Sequence, residues 1–134
     1  MPDSATVLRK LLAVESLWLD STAAGLRLEP GSADPKAVAS LARREEKILA
    51  AWDGQCFHYP VFQFQSRGPC PRVAELVEVL PREKDGALGL DAVLWMFTPD
   101  YAFDGKSPAE LFAKQPTRII EEARIRRDGS TLRD

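Results

Sequence analysis

The chain has one histidine and two cysteines in 134 residues, which leaves little from which to build a metal centre or a nucleophilic relay. Cys56 and Cys70 lack metal-ligand spacing, and His58 does not complete a zinc set with them and an obvious fourth ligand. Both cysteines read as reduced thiols acting as small buried hydrophobes, and no metal or cofactor is expected. Net charge is also scarce: 18 basic against 20 acidic residues give a formal −2. No overall field draws such a molecule onto nucleic acid or an anionic membrane. Long apolar runs are missing too, since no segment approaches the roughly 20 residues that cross a bilayer. Asp3 precedes the first apolar run and Glu15 lies within it, without a basic leader, so a secretory signal is not expected and a cytoplasmic location is. Paired carboxylates, a Ser-His-Asp set and a glycine-rich phosphate loop are lacking, so an enzyme is not expected. His58 beside Tyr59 reads as a strand residue rather than a base, for want of a nucleophile and an orienting third group.

What is present is a 45% hydrophobic composition at a length common for one domain. The patterning predicts a mainly α fold: a small helical domain with one short β-hairpin, divided as residues 1–33, 34–66 and 67–134. In the first segment Val7, Leu8, Leu11, Leu12, Trp18 and Leu19 form a helical stripe over Ser4 to Asp20, with Asp3 or Ser4 as cap. Its apolar face suits packing on its own domain or a dimer contact. Ser21 to Asp34, with Gly25, Pro30, Gly31 and Ser32, reads as linker, with a short extended Leu26-Arg27-Leu28.

The second segment opens with Asp34-Pro35, a cap and first-position proline for a helix reaching about Glu46 with Val38, Leu41 and Ala42 inward. Apolar runs then flank Asp53-Gly54, a two-residue hairpin signal. A helix followed by a hairpin is winged-helix-like, and Arg43, Arg44 and Lys47 are its candidate DNA contacts. Glu45 and Glu46 sit among them and repel phosphate, which favours a solvated charged face. Tyr59 to Phe64 continues as a short strand, closed by Ser66-Arg67-Gly68-Pro69.

In the third segment Pro71 opens a helix bearing Val73, Leu76, Val77 and Leu80, placed to face a later apolar helix. That later helix, from Leu90 through Val93-Leu94-Trp95-Met96-Phe97, is apolar all round and so is expected to be buried on every side. Pro99 stops it. Ser107-Pro108-Ala109-Glu110 is a capping box that starts a helix at Pro108. Gln115-Pro116-Thr117 opens a last helix with Ile119, Ile120, Ala123 and Ile125 on one face, and Gly129 is expected to break it. Tyr101, Phe103 and Phe112 add aromatic surface around the intervening turn.

The order Trp95-Met96-Phe97-Thr98-Pro99-Asp100, then Gly105 to Leu111, then Arg118-Ile119-Ile120-Glu121-Glu122-Ala123-Arg124 resembles the toxin-binding domain of Xre/MbcA/ParS antitoxins. The resemblance covers about the last half of the chain. It implies the antitoxin of a type II toxin-antitoxin pair, whose partner is a cognate RES-domain toxin that consumes NAD or transfers ADP-ribose from it. The assembly it implies is a homodimer or a heteromeric toxin-antitoxin complex, without a membrane. Toxin contacts then fall on Trp95, Phe97, Pro99, Asp100, Gly105 and Pro108, with Arg124, Arg126, Arg127 and Leu132 approaching the toxin's cleft. The alternative is a DNA-binding autorepressor that uses the winged-helix-like half.

Overall fold

Aspartates open the first three helices. In the computed structural model, which describes residues 3–65 and 68–132, α1 spans Ser4–Leu12, α2 spans Ser21–Leu28 and α3 spans Pro35–Arg44. Each is preceded by a carboxylate that accepts an orphan backbone N–H: Asp3 from Thr6 at 2.8 Å, Asp20 from Ala23 at 2.7 Å and Asp34 from Ala37 at 3.3 Å.

Two of these helices depart from the sequence expectation. α1 ends at Leu12 instead of Asp20, and Glu15–Leu17 forms a 3-10 turn into a strand, β1, Trp18–Leu19. The reason is tertiary. The Trp18 indole N–H donates to the Leu11 carbonyl at 2.9 Å, and β1 pairs antiparallel with Pro60 and Tyr59. The supposed linker is helix α2, in which Gly25 lies against the backbone of Pro35. A Cβ at Gly25 would come within 1.8 Å of the Pro35 carbonyl oxygen, so α2 and α3 meet backbone to backbone. The buried residues of the pair are small, Ala24 and Ala39, both fully covered, whereas Leu41 faces outward at 53% exposure, against its expected inward placement.

α3 stops at Arg44, and Glu46 takes a left-handed φ of 56° that redirects the chain. Strands β2, Ala51–Trp52, and β3, Phe57–Pro60, then pair antiparallel, with Ala51 opposite His58 and Trp52 opposite Phe57. The connection is therefore the four residues Asp53 to Cys56, longer than the two-residue turn expected, with Gly54 at φ +104°. β1 joins the other edge of β3 to give a three-stranded antiparallel sheet ordered β1-β3-β2. Mainly helical with one small hairpin, the chain has the fold class that its patterning indicated.

After β3 the chain turns into a 3-10 segment, Val61–Gln63, in place of a continuing strand. Gln63 explains the turn: fully buried, its side chain accepts from the Leu49 N–H and donates to the Leu49 carbonyl, both at 2.7 Å. An amide side chain thus replaces a strand partner for a buried backbone. Ser66 and Arg67, expected to close this segment, lie outside the described residues.

Helix α4, Val73–Val79, follows Arg72 in the left-handed region at φ 72°. Its buried Val73, Leu76 and Val77 serve a contact mainly with α7, Pro116–Leu132, not with α5, Leu90–Phe97. α5 buries Ala92, Val93 and Met96 completely but leaves Leu94, Trp95 and Phe97 only half covered. A body this small cannot enclose a helix on all sides. α6, Pro108–Leu111, has the expected capping box: the Ser107 N–H donates to Glu110 Oε2 at 2.7 Å, and the Glu110 N–H to Ser107 Oγ at 3.4 Å. α7 buries Ile119, Ile120 and Ala123, whereas Ile125 faces out at 63% exposure, and the helix runs on through Gly129. One glycine costs a helix only about 1 kcal/mol and does not forbid its dihedrals. Among the described residues no helix is long and apolar enough to cross a membrane.

Candidate functional site

The two most distinctive segments of the C-terminal half meet at Asp100. Its N–H donates to the Lys106 carbonyl at 3.2 Å, and its own carbonyl accepts from the Gly105 N–H at 2.9 Å. Asp104 and Gly105 both take left-handed φ, 56° and 82°, which folds the chain back so that this bridge closes. The Asp100 side chain caps the 3-10 turn Tyr101–Phe103 by accepting from the Ala102 N–H at 2.9 Å. Its other oxygen meets Arg126 Nη1 on α7 at 2.6 Å, while Arg126 Nε binds Glu122 at 3.0 Å. The Arg126 guanidinium, and then the Ala102 N–H, hold the Asp100 carboxyl below the usual carboxylate range. Arg118 completes the fastening: its guanidinium donates to the Ala102 carbonyl at 2.5 Å and sits 5.3 Å from the Phe103 ring centre.

The surface over this turn is uneven. A shallow depression of about 260 Å³ is lined by Pro99, Asp100, Tyr101 and Gly105. A larger groove of about 480 Å³ separates Leu11, Leu17 and Phe62 from Phe97, Pro99 and Glu110. Pro99 belongs to both and forms the ridge between them. Tyr101 stands fully exposed beside the first. Beneath the groove, the Phe97 ring lies 5.2 Å from Trp18 and 6.1 Å from Phe62, so one side chain of α5 ties β1 and the Val61–Gln63 turn to the C-terminal half.

Of the residues singled out from the sequence, Phe97, Pro99, Asp100 and Gly105 line this surface. Trp95 is half-buried and supports Phe103 edge-on at 6.4 Å, and Pro108 is buried at the first position of α6. Arg126 holds Asp100. Arg127 reaches α4, donating to the Glu78 carbonyl at 2.5 Å, and Arg124 is exposed on α7. The side chain of Leu132, the last residue of α7, lies outside the described residues. Sequence reasoning noted Tyr101 as an aromatic but not as a contact.

The three cations that were candidate DNA contacts all have partners within the chain. Arg43 stacks over the Phe57 ring at 3.7 Å and bonds Ser40, and Arg44 Nε donates to the Ser40 carbonyl at 3.4 Å. Lys47 pairs with Glu45 at 3.2 Å.

The hairpin tip holds a grouping that spacing along the sequence did not reveal. Asp53 Oδ1 accepts from the N–H groups of Gln55 and Cys56 at 2.7 and 2.8 Å. Its Oδ2 lies 2.7 Å from His58 Nε2 and 3.5 Å from Cys56 Sγ, and sulfur and imidazole nitrogen are 3.6 Å apart. These bonds, led by that to His58, hold the Asp53 carboxyl low, whereas burial and the neighbouring Asp53 push the Cys56 thiol up. Because thiol and carboxylate both face the same nitrogen of His58, the three do not form a proton relay, which needs one partner on each ring nitrogen. Both cysteines are free thiols, but only Cys70, against the Phe62 carbonyl, is buried as expected; Cys56 is exposed because it lies in the hairpin loop.

No family model, no curated protein and no solved structure matches the chain.

Proposed function

We propose that the chain is the antitoxin of a type II toxin-antitoxin pair, acting in the cytoplasm by binding a RES-domain toxin and occluding its NAD-binding cleft. The reading is carried by one observation: the two segments with the antitoxin resemblance, Trp95 to Asp100 and Gly105 to Leu111, close on each other at Asp100 beneath an exposed aromatic. A fully exposed Tyr101 beside a proline ridge and two depressions has the form of an anchor residue at a protein interface. The turn is held from behind by Arg118 and Arg126, so its ordering cost precedes binding. Arg124 and the end of α7 extend from the same platform toward the toxin's cleft, in a heteromeric complex.

The test is co-expression with the gene immediately beside this one, following growth and cellular NAD, then copurification. Restored growth, preserved NAD and coelution support the reading. A harmless neighbour, or one that stays toxic without forming a complex, overturns it.

A further inference from the structure

Asp53, Cys56 and His58 offer an oxygen, a sulfur and a nitrogen that lie within 4.8 Å of one another at the tip of the β2–β3 hairpin. A tetrahedral zinc ion with ordinary Zn–S, Zn–N and Zn–O bonds spaces sulfur about 3.6 Å from each of the other two ligands, and nitrogen about 3.4 Å from oxygen. The observed sulfur separations are 3.6 and 3.5 Å. Only the 2.7 Å His58–Asp53 hydrogen bond is shorter, and opening it by about 0.7 Å admits the ion.

We infer that this tip is a binding site for a thiophilic divalent transition metal, with zinc the best fit, held by Asp53 Oδ2, Cys56 Sγ and His58 Nε2 and completed by water. Three further features favour it. The Asp53 carboxylate is aimed in advance, because the N–H groups of Gln55 and Cys56 hold Oδ1 and leave Oδ2 toward the other two ligands. The three donors converge on one point, as ligands do, instead of lying in a line. A mixed sulfur, nitrogen and oxygen set selects zinc over magnesium or calcium, which take oxygen alone. Binding displaces the thiol proton to solvent and leaves the imidazole neutral with its proton on Nδ1, so the ligands carry two negative charges against the ion's two positive. With three protein ligands the fourth position stays open, unlike that of a closed structural site.

The experiment is calorimetric titration of the metal-free full chain with zinc chloride, paired with cobalt(II) titration read by absorption. One ion per chain and a thiolate-to-cobalt charge-transfer band are expected. Cys56→Ser should abolish that band, and Cys56→Ser and His58→Gln should each weaken zinc binding by at least about 100-fold, while circular dichroism of the metal-free variants matches that of the parent. Cys70→Ser is the control that leaves both readouts unchanged. Absence of stoichiometric binding at micromolar chain, or binding that survives in both Cys56→Ser and His58→Gln, overturns the assignment.

Discussion

Arg126 on the last helix reaches Asp100, twenty-six positions earlier, at 2.6 Å, and so fastens α7 to the turn that carries Tyr101. The pair is partly exposed, with side-chain exposures of 39% and 23%, so its contribution to global stability is at most about 1 kcal/mol. Its importance is positional. Because the folded-state pKa of Asp100 is depressed, its stabilising contribution is present above the ordinary carboxylate value of about 3.9 and is lost as pH falls through the lower folded value. Urea unfolding between neutral and strongly acid pH should show a shallower acid-side loss in Asp100→Asn than in the parent. An unchanged pH profile would remove the pair from this account.

Tyr101 and Phe97 separate binding from folding. Tyr101 is fully exposed and touches nothing it must support, so Tyr101→Ala should leave stability within about 0.5 kcal/mol of the parent. It should nonetheless weaken toxin capture by at least about 2 kcal/mol if it is the anchor of the interface. Phe97→Ala removes the ring packed on Trp18 and Phe62 and should cost about 3 kcal/mol of stability, the lower end for a phenylalanine because this one is half-buried. Denaturant melts and copurification of the two variants side by side distinguish the roles.

Gln63 is the core's polar cross-brace. Gln63→Leu leaves the Leu49 N–H and carbonyl buried without partners, and each orphan costs about 1–3 kcal/mol. Urea melts of this variant should shift to a markedly lower midpoint, and a change under 1 kcal/mol would mean that the Leu49 backbone finds other partners.

Gly25 tests the contact between α2 and α3. Elsewhere in a helix, alanine for glycine is stabilising by about 1 kcal/mol. Here the added methyl would meet the Pro35 carbonyl oxygen, a backbone atom that moves only with its helix, so Gly25→Ala should destabilise by about 1–3 kcal/mol. The sign of the change in a thermal melt decides the matter.

Local signals in the sequence located much of this molecule. Asp34-Pro35, Ser107-Pro108-Ala109-Glu110 and Gln115-Pro116 each begin a helix where their chemistry requires, because caps and first-position prolines act within one turn and need no distant partner. Asp53-Gly54 likewise announced a hairpin, whereas of the three aromatics expected to add surface around the turn only Tyr101 is exposed, because Phe103 and Phe112 are drawn into the core.

What the sequence could not decide were matters that depend on residues far apart along it. Trp18 left its helical stripe because Pro60 and Tyr59 offered a strand edge about forty residues away, and the packing of Gly25 against Pro35 joins two helices that no local pattern pairs. Gln63 ended a strand because Leu49 needed its amide. The grouping of Asp53, Cys56 and His58 follows the same rule at shorter range: the loop is four residues long, not two, and that extra length turns three unremarkable side chains toward one point. Propensity and capping are properties of a few neighbouring residues and were determined by the sequence itself. Burial and the satisfaction of buried backbone groups are properties of the whole packed chain, and only the tertiary structure decided them.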